Sequence, residues 1–107
     1  MKFEDIKYEE RKGKHGSVLG LYMPGRYWVS KKLVEATLIQ VQKGLPVPGC
    51  TKEHTARSMC GDEFWLSFDF PDQLKMGRCV KYFVVQKMLP LRVANPKKKG
   101  ARKYIHI

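Results

Sequence analysis

Cys50, His54 and Cys60 lie close together in this chain, and Cys79 follows later. Thiols and an imidazole could hold a metal, but the C-x3-H-x5-C spacing departs from zinc sites. Zinc ligands usually come in two clusters, each with partners two to five residues apart. No metal is therefore expected, and the cysteines read as small core residues. Cys60 beside His54, with Glu53 or Asp62 behind, would supply a thiol nucleophile, a base and an orienting acid. Three such types within 107 residues are close to a chance occurrence. Asp62, Glu63 and Asp69 are acids of the kind a two-metal nuclease clusters, yet nothing else in the sequence supports that role. Gly13, Gly16 and Gly20 are spaced too loosely for a phosphate-cradling loop. His15 and His106 fall in an arm and a terminal strand, where exposure is expected. The chain reads as a non-enzyme without a cofactor.

Lysine and arginine give a stronger signal. The chain has 21 of them against 10 acids, a formal net charge of +11. Residues 71–107 hold ten of the bases and one acid, Asp72, so about a third of the chain carries +9. Charge of one sign gathered in this way attracts polyanions. Nucleic acid is the expected partner. An acidic protein is the alternative, and a solvated face without function is the bland reading. Membrane binding would need a basic helix with a bulky apolar side, which the lysine run at 97–99 lacks. No stretch approaches the roughly 20 apolar residues that span a bilayer. The start, MKFEDIKYEE, lacks the layout of a signal peptide. Three cysteines, an odd number without framework spacing, suit free thiols in a reducing compartment. A cytoplasmic protein is expected.

The elements follow from local signals. Residues 1–29 read as a polar arm, mobile or weakly helical, followed by a possible hairpin of Val18–Met23 and Tyr27–Val29 around Pro24-Gly25. Tyr22, Tyr27 and Trp28 are expected to pack on the core, with base stacking as the alternative. Ser30–Lys43 predicts a helix: Ser30 can cap it, and Leu33, Val34, Leu38 and Val41 recur at a helical period. Its β-branched residues leave a strand as the alternative. GLPVPG breaks the chain, and Thr51 then opens a second helix, Thr51–Cys60. The aromatic run Asp62–Phe70 is expected to be largely buried, closed by Pro71-Asp72. A third helix is expected at Leu74–Met88. Met76, Val80, Phe83, Val84 and Met88 face inward there, and Lys75, Arg78, Tyr82 and Gln86 face outward, with Lys81 flanking. Lys87 falls on the apolar side, against the pattern. A strand over 79–89 is the rival, because valine, tyrosine and phenylalanine favour sheets. Leu89–Ala94 leads into the basic loop NPKKKGARK and a terminal strand, Tyr104–Ile107.

This order resembles winged helix-turn-helix DNA-binding domains over residues 30–107. Such domains run helix, short connector, helix, helix, strand, wing, strand. The closing stretch GRCVKYFVVQKMLPLRVANPKKKGARKYIHI looks like the family's recognition helix, apolar strand, basic wing and aromatic re-entry. The resemblance implies an α+β, winged-helix-like fold with three helices and a C-terminal β-hairpin wing. The alternative is a small α+β sheet domain with a central strand at 79–89. By the resemblance, double-stranded DNA would be met by Lys75, Arg78, Lys81, Tyr82 and Gln86 of the helix. Arg92 of the strand and Lys97, Lys98, Lys99, Arg102 and Lys103 of the wing would complete the contacts. A transcriptional regulator is implied, and a homodimer reading paired half-sites would fit one. One departure is visible: residues 61–72 stand where the family has a tight turn. An adaptor or inhibitor that binds an acidic protein, and an RNA binder that stacks bases on Tyr82 and Phe83, remain as alternatives.

Overall fold

The computed structural model describes residues 6–13, 16–23, 27–49, 52–94 and 102–107. Three antiparallel strands come first, β1 (Glu9–Gly13), β2 (Gly16–Met23) and β3 (Tyr27–Ser30), paired in chain order. The expected pairing of the second and third is present, with Tyr22 opposite Trp28. The polar segment before them is a strand where an arm or weak helix was expected. It lies exposed along its whole length. Antiparallel pairing with β2 satisfies one edge of its backbone and water can reach the other, so a polar sequence with no buried side of its own still becomes a strand.

Helix α1 (Lys31–Lys43) follows at once. Ser30 caps it, its hydroxyl accepting from the Leu33 amide at 3.4 Å. Val34, Leu38 and Val41 are buried, as their period required. Thr37 is buried too, and its hydroxyl donates to the Leu33 carbonyl at 2.8 Å. The expected helix at Thr51–Cys60 is much shorter. A two-residue strand, β4 (His54–Thr55), precedes α2 (Ala56–Cys60). The cap is Thr55, locked with Ser58 in a reciprocal pair of side-chain and backbone bonds. Thr51, the expected cap, lies outside the described residues, as does Cys50.

The aromatic run forms α3 (Asp62–Leu66), and α4 (Phe70–Val85) begins four residues earlier than expected. Pro71 opens α4, where it was expected to close the preceding piece. Proline suits a first helical turn, because the amide it lacks has no helical partner there. Asp69 caps α4 by accepting from the Asp72 amide. Gln73 donates to the carbonyls of Trp65 and Phe68 and so fixes the α3–α4 corner. Burial of the aromatic run is only partial. Leu66 and Phe70 are 61% and 69% exposed. The helix, not the rival strand, occupies 79–85.

The end of α4 explains the misplaced Lys87. The Lys87 amide donates to the Val84 carbonyl and the Met88 amide to the Phe83 carbonyl. These two bonds form the left-handed cap of a helix C-terminus. Lys87 therefore sits beyond the helix at φ +58°, a position that favours glycine. Lys87→Gly is expected to stabilise the fold by about 1 kcal/mol, read as a higher urea midpoint at unchanged slope.

Strands β5 (Leu91–Val93) and β6 (Lys103–His106) pair antiparallel, and β6 lies between β5 and β4 in a second sheet. The molecule is a small α+β domain of four helices and two three-stranded sheets among the described residues. Three helices with a C-terminal hairpin, preceded by an arm and a short N-terminal hairpin, were expected. The difference arises where short elements, α3, β1 and β4, are held by tertiary partners and not by their own periodicity. One core joins both sheets and the helices: Leu21, Val29, Val34, Leu38, Phe83 and Tyr104 belong to a single buried cluster. No helix among the described residues is long and apolar enough to cross a membrane.

Candidate nucleic-acid interface

Of the basic side chains expected to meet DNA, Lys75, Arg78 and Lys81 sit on α4, Arg92 on β5 and Lys103 on β6. On α4 the buried side consists of Met76, Cys79, Val80, Phe83 and Val84. Counting 100° per residue, the opposite side is Leu74, Arg78, Lys81 and Val85. Leu74 and Val85 are half in water. Lys75 and Tyr82, expected outward, lie on the flank by helical angle; they are half-buried, as are Arg78 and Lys81. The outward side is thus turned toward Lys81, and it mixes cations with apolar groups. Cys79 causes the turn. Cys79 is not among the residues expected to face inward, yet it is completely buried. α4 packs on α1 and also on β2 and β3, so its covered arc is wider than one partner helix would make it. The preference of cysteine for burial was the available signal.

Arg78 is engaged within the molecule. Its guanidinium lies 4.2 Å from the centre of the Tyr27 ring and donates to the Tyr27 hydroxyl at 3.3 Å. A cation over an aromatic face is attracted by the ring's quadrupole. This contact ties α4 to β3. Tyr82 meets Phe83 edge to face with centroids 6.3 Å apart. Gln86 lies past the helix, where its backbone amide caps the Tyr82 and Val84 carbonyls. Lys81 has no ion-pair partner among the described residues.

On the second sheet, Arg92 is exposed opposite Ile105, and Arg102 is exposed just before β6. Lys103 meets Glu53 at 3.6 Å, an exposed pair of little energetic weight. The Ala94 amide donates to the Lys103 carbonyl at 2.8 Å, so the hairpin ladder is held up to the basic loop. Lys97, Lys98 and Lys99 lie outside the described residues. Lys81 on α4 and Arg92 on β5 belong to adjoining elements, because α4 packs against β5. Past the end of α4, an open groove of about 930 Å³ is lined by Val85, Met88, Val93 and Ile107, with Lys87 and Arg92 in its wall.

The thiol considered for nucleophilic chemistry, Cys60, lies in the core. Cys60 and Cys79 are free, buried thiols. Burial pushes Cys60 up to about 11. Burial, and then the neighbouring Cys60, push Cys79 up to about 12. Both remain neutral at pH 7, so neither is an activated nucleophile. Asp62 is held by Arg57 at 2.8 Å on an exposed surface. Among the described residues no three His, Cys, Asp or Glu side chains converge on a point that could hold a metal ion. The raised thiols predict the alkaline limb of stability. Unfolded thiols ionise first, near their ordinary value of 9.0. Stability is therefore complete below that value and is lost as pH rises through about 11 and about 12. Iodoacetamide at about pH 8 is expected to label Cys60 and Cys79 only once urea unfolds the chain.

Comparison with protein-family models, characterised proteins and solved structures finds no match to this chain.

Proposed function

We propose that the chain is a DNA-binding protein of winged-helix type that docks on duplex DNA through α4 and the loop between β5 and β6, and that it acts in transcriptional regulation. The observation that carries this reading is the hairpin of β5 and β6. Its ladder runs up to a loop holding three consecutive lysines, and its base packs against the end of α4. The element order supports the same reading. Helix, connector, helix, helix, strand, loop, strand follow one another, with α3 intercalated where the family has a tight turn and β4 added beside β6. Lys81, Arg92 and Arg102 would contact phosphates, together with Lys97, Lys98 and Lys99. Leu74 and Val85 on the outward side of α4 suit contact with thymine methyl groups in the major groove. Arg78 would be oriented by Tyr27 toward the same groove.

Fluorescence anisotropy with a random duplex of about 30 base pairs, at roughly 50 and 200 mM salt, tests the reading. Binding that weakens steeply with salt is expected. Absence of binding at the lower salt would refute it, and the +9 segment would then be a surface for an acidic protein.

A further inference from the structure

The outer face of the N-terminal sheet carries aromatic rings that neither the core nor the proposed duplex contacts use. Alternation along β2 sends Leu21 and Met23 into the core and Gly20 and Tyr22 outward. Trp28, opposite Tyr22 on β3, points outward with it. The two rings meet edge to face, with centroids 4.9 Å apart and planes at 64°. Tyr22 is 51% exposed, contrary to the expectation that it packs on the core. Gly20 makes the arrangement possible. A Cβ on Gly20 would stand 2.5 Å from an atom of the Trp28 ring, so the indole lies directly over the bare backbone of β2. It reaches as far as β1, where the Arg11 guanidinium sits 5.7 Å from the ring centre. Tyr22, Trp28 and Arg11 thus form a continuous strip across all three strands. Val18, paired with Arg11, extends it and is half exposed.

We propose that this strip is a stacking surface for the bases of single-stranded nucleic acid. The chain's charge of +11 gathers polyanions. A single strand is the polyanion whose flat apolar faces are open to stack on exposed rings. Charge on the strip itself is balanced, Glu9 facing outward beside Arg11. Stacking, and not phosphate attraction, therefore sets its preference. Arg11 adds a planar cation against which a base or phosphate can rest. This inference does not rest on the duplex reading, which uses other residues.

The probe is a dT oligonucleotide of about 15 bases beside an abasic strand of equal length, at about 150 mM salt, where contacts to phosphate alone are weakened. The dT strand is expected to bind the wild-type chain about tenfold more tightly than the abasic strand. Tyr22→Ala is expected to lower dT affinity by about tenfold and to leave duplex affinity unchanged. In a Trp65→Phe background Trp28 is the remaining tryptophan, and dT should quench its emission. The wild-type and Tyr22→Ala titrations decide the matter even if Trp65→Phe fails to fold. Equal binding of dT and abasic strands would overturn the proposal, as would a Tyr22→Ala variant that binds dT like the wild type. A chain that prefers dT but ignores duplex loses the duplex reading and keeps this one.

Discussion

Gly44→Ala is expected to destabilise the fold by about 3 kcal/mol or more. Gly44 ends α1, its amide donating to the Gln40 and Val41 carbonyls. A Cβ there would stand 1.8 Å from the Met59 carbonyl oxygen and 2.8 Å from the carbonyl carbon. These are backbone atoms of α2, which cannot rotate aside as a side chain can. The glycine is needed for close approach and not for its dihedral angles, since φ is −106°. To admit a methyl group, α1 and α2 must move apart. Met59 and Cys60 on one side, and Leu38 and Val41 on the other, would lose contact in the middle of the core. The bond from the Gln40 side chain to the Cys60 carbonyl would stretch beyond its present 3.4 Å. Domains of this size are stable by only about 5–15 kcal/mol, so the variant should lose a large fraction of the total. Urea denaturation of wild type and variant measures it, with the shift appearing in the midpoint and not the slope. A loss under about 1 kcal/mol would show that the two helices do not meet at this glycine.

Simultaneous replacement of Lys97, Lys98 and Lys99 by alanine is expected to weaken duplex binding on the order of 100-fold near 100 mM salt. Each phosphate contact contributes about −0.9 to the slope of log affinity against log salt, so losing three should flatten the slope by about 2.7. The loss should be uniform across DNA sequences, because lysines on phosphates position a protein without reading bases. In sequence Lys97–Lys99 fall between β5 and β6, near the buried cluster members Leu89, Leu91 and Tyr104 but belonging to neither strand. The urea midpoint should accordingly change little. Affinity titrations of the triple variant at two salt concentrations are the measurement. An unchanged salt slope would remove the loop from the interface and leave Lys81, Arg92 and Arg102 to account for any binding.

α1 was legible in the sequence alone. A serine cap and four periodic apolar residues act within a few turns of chain. The hairpin of β2 and β3, the helical state of residues 74–85 and the two C-terminal strands were legible for the same reason. The concentration of charge in residues 71–107 needs no structure at all. Longer-range relations decided the rest. β1 is polar throughout and becomes a strand because β2 offers it a ladder. The five residues of α2 and of α3 are too few for their own periodicity to hold a helix, and caps and neighbours hold them. The outward side of α4 depends on which elements cover the others. That is why Cys79 went inward, Tyr82 came to the flank and Arg78 was drawn onto Tyr27, 51 positions away. The aromatic strip of Tyr22, Trp28 and Arg11 exists only after three strands take their register and Gly20 lets the indole lie flat. Sequence determines what a residue prefers among its near neighbours. Tertiary structure decides which of its faces water still reaches, and binding happens on those faces.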